Sequence, residues 1–355
     1  MFVALRDLRF ARGRFILIGS VVALITILVG FLSGLTGGLA TQNISAVLEM
    51  PGDRIVFSAP TVGDSVSFAD SAVTEQQATD WESTDGVTDV QPIGITQTRA
   101  EAGDRRIAIA VFGVESGYAT DAPTENGRLG LSAPAAKDLD VEVGDDVTIA
   151  GVTYTVESIG GDDWYSHTPV VTMSLHDWQA YSAATGNPDA YATVLAISGS
   201  PDWAAADTAN QTVSQTNLGS LTALSAFRSE IGSLLLMVAM LFGISGLVIG
   251  AFFTVWTIQR KGDIAVLKAL GASTTSLVRD ALGQALVVLV LGIGIGVGVV
   301  ALFGALAGTV LPFLLSPITT VLPGAIMIAL GLAGAAFALR SVTSADPLTA
   351  LGSNR

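Results

Sequence analysis

Hydrophobic residues are concentrated in three stretches that carry no Asp, Glu, Lys or Arg. These stretches, residues 15–48, 231–259 and 281–339, are 34, 29 and 59 residues long. A helix needs about 20 apolar residues to cross the hydrocarbon core of a bilayer, so the first two stretches predict one span each and the third predicts two. Three prolines between positions 312 and 323 mark a turn in the third stretch, because proline interrupts a helix. The sequence therefore predicts four transmembrane helices, over residues 15–36, 231–258, 281–307 and 321–340.

The polar segment between the first two spans, residues 37–230, is long enough for a domain of its own with flanking stalks. Residues 106–112 and 147–156 alternate between apolar and polar positions as strands do, and a glycine turn divides the second run. Residues 134–139, with a proline in the first turn, and residues 174–181 predict short helices. The expected fold is a four-span membrane protein with a large α+β domain inserted between the first and second helices.

Composition supports a membrane protein and excludes several other classes. Half of the residues are hydrophobic, 14% are charged, and the mean hydropathy is +0.59. A soluble chain carries about 25% charged residues. The sequence has no cysteine, which excludes disulfide scaffolds, zinc–thiolate sites and iron–sulfur clusters. The net charge of −14 argues against a nucleic-acid partner, because nucleic acid requires a basic surface.

The distribution of charge predicts the orientation in the membrane. Residues 1–14, 260–280 and 340–355 hold ten basic and four acidic residues, a net charge of +6, whereas residues 36–230 hold seven basic and 27 acidic residues, a net charge of −20. Short segments rich in Lys and Arg stay in the cytoplasm, so we expect both termini on the cytoplasmic side of a cell membrane and the acidic domain outside the cell. The expected cytoplasmic segments are 1–14, 259–280 and 341–355, and the expected outer segments are 37–230 and 308–320.

No catalytic signature is present in the sequence. None of the three lysines follows a glycine, so the phosphate-binding GxxxxGK[ST] loop is absent and the chain is not expected to hydrolyse ATP. The two histidines, His167 and His176, lie nine residues apart, which is a poor spacing for a metal site, and no metal site is expected. A membrane protein of this kind is either passive or draws its energy from a partner.

One short segment resembles a known signature. Residues 260–273 are R-K-G-D-I-A-V-L-K-A-L-G-A-S, which resembles the R-x-x-E-I-x-x-L-K-A-L-G-A pattern of the FtsX/MacB superfamily of ABC-transporter permeases (type VII), with Asp263 in place of glutamate. The run L-S-A-P-A-A-K-D-L-D-V-E-V-G-D-D-V-T-I-A-G-V-T-Y-T-V over residues 131–156 and the C-terminal A-D-P-L-T-A-L over residues 345–351 also resemble patterns of this family. Gly271 predicts the end of a short helix and Ser273 the N-cap of the next.

The resemblance implies a homodimer that works with two copies of a separate ABC ATPase, which binds the ATP. It implies that the loop 259–280 is the coupling helix that docks on the ATPase. The residues implied there are Ile264 and Leu267 as an apolar ridge, with Arg260, Lys261, Asp263 and Lys268 as its polar rim. The family's dimer interface lies on the first two spans, so we expect the glycine pairs Gly30/Gly34 and Gly246/Gly250 to face the second copy.

Over the whole chain the sequence is most similar to the haem-exporting branch of this superfamily from Gram-positive bacteria. Haem would then be the transported ligand, not a resident cofactor. The candidate haem contacts are Glu49 and Met50 at the outer end of the first span, Arg228 and Met240 on the second, and Tyr165 and His167 on a loop of the outer domain. The alternatives are export of another amphiphile (a macrolide, peptide or lipoprotein) and a non-transporting, FtsX-like signalling subunit that controls cell-wall hydrolases.

Overall fold

The computed structural model describes residues 12–61, 63–119, 122–123, 125–259, 262, 266 and 271–343. The helices are α1 (Arg12–Leu48), α2 (Glu75–Glu82), α3 (Ala133–Leu139), α4 (Leu175–Ala184), α5 (Trp203–Asn210), α6 (Asn217–Ser220), α7 (Ser225–Gln259), α8 (Thr274–Ala307) and α9 (Pro317–Thr343). The strands are β1 (Arg54–Ser58), β2 (Val87–Ala102), β3 (Arg105–Val114), β4 (Arg128–Ser132), β5 (Asp146–Ile149), β6 (Val152–Gly160), β7 (Trp164–Tyr165), β8 (Thr168–Ser174), β9 (Val194–Gly199) and β10 (Thr212–Thr216). The chain forms two compact units, which we call the helical unit (up to Gly38 and from Ser233) and the α/β unit (Leu39–Gly232).

Within the described part of the chain, four helices are long and apolar enough to cross a membrane: α1, α7, α8 and α9. This confirms the predicted four-span architecture with a mixed α/β domain between the first and second spans. The helices are longer than the predicted spans. At about 1.5 Å per residue, the 37 residues of α1 extend about 55 Å, whereas the hydrocarbon core is about 30 Å thick. Polar residues after position 36 end the apolar run but do not stop the helix, which continues to Leu48.

The turn between α8 and α9 forms where the prolines predict it. Helix α8 ends at Ala307 and α9 begins at Pro317. Proline has no backbone N–H, but this does not weaken the first turn of a helix, where an N–H would have no intrahelical acceptor. Between them, Phe313 packs on the backbone at Gly34 and Gly304. The Leu314 amide donates a hydrogen bond to the Gly34 carbonyl over 3.0 Å. The turn is therefore anchored to α1 within the helical unit.

The glycine pairs on the first two spans pack within the chain. A Cβ atom at Gly30 would lie 2.7 Å from Val300, and one at Gly34 would overlap Phe313. Gly246 faces Leu330 and Gly250 faces Gly334, each over 3.7 Å. The expectation that these pairs face a second copy is wrong for this structure. Small-xxx-small spacing indicates that two helices approach closely, but it does not identify the neighbour.

Six strands of the α/β unit close on themselves. Their order is β2-β3-β8-β4-β6-β5, and β5 pairs again with β2. The pairs β3/β8 and β4/β6 are parallel and the others antiparallel. The first half of β2 pairs instead with β9, in a second antiparallel sheet of order β10-β1-β9-β2. One 16-residue strand, β2, therefore belongs to both the closed six-stranded part and the second, four-stranded sheet.

The secondary structure predicted within the domain is confirmed where it was specified. Residues 106–112 lie in β3, and residues 147–156 form β5 and β6 around a two-residue turn at Ala150 and Gly151. Both turn residues have positive φ, 50° and 83°, as a type I′ hairpin requires. The two predicted short helices are α3 and α4.

Candidate functional site

The end of α1 is packed into the core of the α/β unit. Ala46, Val47 and Met50 are buried in one apolar cluster with Phe57 and other residues of the sheet. Between them, Glu49 is exposed. Met50 is only 3% exposed, so the expectation that it stands beside Glu49 as an open ligand is wrong: its apolar side chain turns toward the sheet. Of this predicted pair, only the Glu49 carboxylate lies at the surface of the α/β unit.

Tyr165 is also buried, with 6% of its surface exposed. It ends strand β7 and does not lie on an open loop as expected. Its ring meets Phe68 and Phe112 edge-on, with centroids 6.0 Å and 5.6 Å apart. Burial raises the pKa of the Tyr165 phenol far above its ordinary value. Tyrosine binds iron as the phenolate, and burial disfavours that charged form, so Tyr165 is poorly suited to ligate haem.

His167 occupies a strained two-residue turn between β7 and β8. Ser166 and His167 both have positive φ, 48° and 64°, the backbone of a type I′ hairpin that usually contains Asn and Gly. The amide of Ser166 donates to the carbonyl of Asn43 over 3.0 Å, and the amide of His167 donates to the carbonyl of Gln42 over 2.9 Å. These two hydrogen bonds attach the turn to the C-terminal part of α1.

Three polar side chains from distant segments meet at this turn. His167 Nε2 lies 3.1 Å from Oε2 and 3.2 Å from Oε1 of Glu230, near the start of α7. Asn43 Nδ2 donates to Glu230 Oε2 over 3.3 Å and lies 3.4 Å from His167 Nε2. We call Asn43, His167 and Glu230 the basal cluster. His167 was predicted as a site residue, but its contacts with Asn43 and Glu230 join segments that are far apart in the sequence and have no local signal there.

The remaining candidate haem contacts lie elsewhere. Arg228 is exposed on the first turn of α7, and its guanidinium donates to Ser65 Oγ over 2.9 Å. Met240 belongs to the helical unit, where 59% of its surface is exposed. A stripe of apolar side chains on the same helix is similarly exposed, at Leu236, Met240, Ile244 and Leu247.

The predicted ATPase-docking residues lie outside the described residues. They are Arg260, Lys261, Asp263, Ile264, Leu267 and Lys268. The segment that follows them is described. Gly271 has a φ of +95°, and the Ser273 hydroxyl accepts a hydrogen bond from the Ser276 amide as the N-cap of α8. The predicted helix start at Ser273 is therefore confirmed.

Four apolar helices with an α/β domain after the first define the class, a multi-pass membrane protein. Residues 226–347, which contain α7, α8 and α9, match the family model described as FtsX-like permease C-terminal. This part of the chain is an FtsX-like permease domain, and the resemblance noted at residues 260–273 is confirmed.

The similarity to several known proteins extends over nearly the whole chain. One from Staphylococcus haemolyticus, named as the hemin transport system permease HrtB, is 25% identical over 99% of this chain and 99% of its own. A second of the same name, from Staphylococcus epidermidis, is 24% identical with the same coverage. An uncharacterized ABC transporter permease of Mycobacterium tuberculosis is 23% identical, also over 99% of both chains.

Two solved structures also show similarity. The periplasmic region of MacB from Actinobacillus actinomycetemcomitans is 9% identical, with 48% of this chain and 92% of that chain covered and a TM-score of 0.36. The extracellular domain of the noncanonic ABC-type transporter YknZ from Gram-positive bacteria is 15% identical, with 44% and 87% covered and a TM-score of 0.32.

Proposed function

We propose that this chain is the permease subunit of an ATP-driven ABC exporter whose cargo is haem. The observation that carries the proposal is the likeness, over 99% of both chains, to proteins named as hemin transport permeases. The FtsX-like domain at residues 226–347 supports the permease role. Because the sequence lacks a phosphate-binding loop, ATP binds to a separate ATPase subunit.

The proposed complex contains two copies of the chain and two copies of the ATPase. The net charge of +6 on the three short segments and −20 on residues 36–230 supports an orientation with both termini in the cytoplasm and the α/β unit outside. The exposed apolar stripe on α7 is available to lipid or to the second copy. Residues 259–280 face the ATPase, with Ile264 and Leu267 as the docking ridge.

Haem is proposed to bind where α1 ends, with Glu49 as the iron ligand. Glu49 is an exposed carboxylate at the boundary of a membrane-spanning helix, and a homodimer would supply it twice. A carboxylate binds iron more weakly than an imidazole does, which suits a protein that must release its cargo. Arg228, exposed at the start of α7, is a donor for a haem propionate. Met240, in the helical unit, stays a prediction from the sequence. The burial of Met50 removes it from the proposed ligands.

The test is the absorption spectrum of the detergent-purified chain after addition of haem. We expect a Soret band that is shifted or lost in Glu49→Ala, retained in the matched surface variant Glu142→Ala, and unshifted in folded Met50→Ala. Cells that carry Glu49→Ala should become sensitive to haem. An unaltered spectrum and full protection in Glu49→Ala would refute this site. A wild-type chain that binds no haem would refute the cargo and favour another amphiphile or a signalling role.

A further inference from the structure

We propose that the basal cluster, formed by Asn43, His167 and Glu230, is a binding site for a divalent metal ion, and that Zn²⁺ fits it best. All three residues belong to the α/β unit. The proposal does not depend on haem as the cargo. Imidazole, carboxylate and amide oxygen together make a mixed nitrogen and oxygen ligand set, and Zn²⁺ takes such ligands at about 2.0–2.2 Å.

The spacing of the three donor positions carries the argument. His167 Nε2 and Glu230 Oε2 are 3.1 Å apart, Glu230 Oε2 and Asn43 Nδ2 are 3.3 Å apart, and Asn43 Nδ2 and His167 Nε2 are 3.4 Å apart. Ligands of a tetrahedral ion are separated by about 1.6 times the metal–ligand distance, which for Zn²⁺ is about 3.3 Å. The three positions therefore form one face of a tetrahedron of the right size.

Hydrogen bonding alone leaves the cluster incompletely satisfied. His167 Nε2 must carry a proton to donate to Glu230, so it cannot also accept the nearby Asn43 amide N–H. Asn43 is 1% exposed, and its Oδ1 atom is buried without a hydrogen-bond partner. Rotation of the amide group exchanges the positions of its oxygen and nitrogen atoms, which are nearly equal in size. After that rotation, the unpartnered oxygen faces His167 and Glu230 as the third ligand.

The backbone holds the histidine in place at a conformational cost. Ser166 and His167 both adopt the left-handed region without being glycine, which is unfavourable for residues that carry a Cβ atom. Strained residues of this kind concentrate at functional sites. Their amides donate to carbonyls of α1, which holds the backbone that carries the His167 side chain beside Asn43.

The cluster has the charge and the access that a metal ion requires. Glu230 supplies a negative charge, and its side chain is 42% exposed, whereas that of His167 is 34% exposed. An ion can therefore enter from solvent, and its fourth position stays open to water. No group of three His, Asp or Glu side chains gathers among the described residues, so the third ligand here must be the asparagine.

The test measures Zn²⁺ binding to the haem-free, full-length chain in detergent, purified without a histidine tag. Competition with a chromophoric chelator should give one tight site per chain. Co²⁺ should give the visible absorption of a tetrahedral complex. His167→Ala and the more conservative His167→Gln should each weaken Zn²⁺ binding at least tenfold. The matched control is His176→Ala, which removes the other histidine, an exposed residue beside Asp177, and should leave binding unchanged.

Substitution of Asn43 separates a metal site from a hydrogen-bonded cluster. Asn43→Asp replaces a neutral ligand by a carboxylate, so it should tighten Zn²⁺ binding at least tenfold, whereas Asn43→Leu should weaken it. Without metal, Asn43→Asp should unfold at a lower temperature than the parent, because two carboxylates then face each other. The proposal is overturned if the parent binds Zn²⁺ no more tightly than His167→Ala, or if folded Asn43→Asp gains no affinity.

Discussion

The burial of Met50 beside the exposed Glu49 leads to a test that separates a structural role from a ligand role. Met50→Ala removes three heavy atoms from a side chain that is 3% exposed and packs in the core of the α/β unit. Substitutions of this kind cost 2–5 kcal/mol. The end of α1 lies at the border of the core and can partly collapse onto the gap, so we expect about 2 kcal/mol. Glu49→Ala alters an exposed side chain and should change stability by less than about 0.5 kcal/mol.

The assay is thermal unfolding of the detergent-purified chain, followed by tryptophan fluorescence. Four of the five tryptophans, at 81, 164, 178 and 203, lie in the α/β unit, so the signal reports mainly on that unit. For a unit of this size, 1 kcal/mol corresponds to about 2–4 °C, so Met50→Ala should lower Tm by about 4–8 °C. Glu49→Ala should stay within about 2 °C of the parent. If Met50→Ala unfolds like the parent but loses the haem spectrum, Met50 is a ligand and its assignment to the core is wrong.

Three further predictions concern the hairpin turn between β5 and β6, the carboxylate of Glu115 and the predicted cytoplasmic loop 259–280. Ala150→Gly should stabilise the α/β unit by up to about 1 kcal/mol, because Ala150 has a φ of 50° that glycine adopts without strain; an unchanged or lower Tm would contradict this. Partial burial and the nearby carboxylates of Glu82 and Asp89 raise the pKa of Glu115 above its ordinary value of 4.5, so folding favours the protonated form. The ionised form therefore destabilises the folded protein. This destabilisation is absent at low pH and fully present once the pH exceeds the raised pKa. Glu115→Gln should therefore raise Tm at pH 7 and leave it unchanged at pH 3. Ile264→Asp or Leu267→Asp should abolish co-purification of the ATPase while the chain still inserts, because a desolvated charge costs several kcal/mol in an apolar contact; undiminished co-purification would show that the loop is a plain connector.

The spans could be predicted from the sequence because membrane insertion depends on local composition. An uncharged run of 29 or more residues has few alternatives to a membrane-spanning helix. The group of prolines indicated the turn between α8 and α9. The full length of α1 could not be predicted, because hydropathy reports where lipid ends and not where a helix ends. No proline follows α1 until Pro51, so its polar continuation stays helical.

The predictions that failed all depend on which distant residues become neighbours. Alternation along β3, β5 and β6 was visible in the sequence, but the return of β5 onto β2 was not, because strand closure is a property of pairing between segments. The spacing of Gly30 and Gly34 indicated a close approach, and the structure places Val300 and Phe313 there. Met50, next to a proline at a helix end, gave no local sign that it would turn into the core.

The basal cluster joins the two helices that lead from the α/β unit toward the membrane. Asn43 belongs to α1 and Glu230 to α7, and they are separated by 187 positions in the sequence, with His167 between them on the hairpin. Each helix continues without interruption from this cluster into a candidate membrane span. Because Asn43, His167 and Glu230 belong to segments that are far apart in the sequence, a metal ion bound by all three would link α1, the hairpin and α7 within the α/β unit.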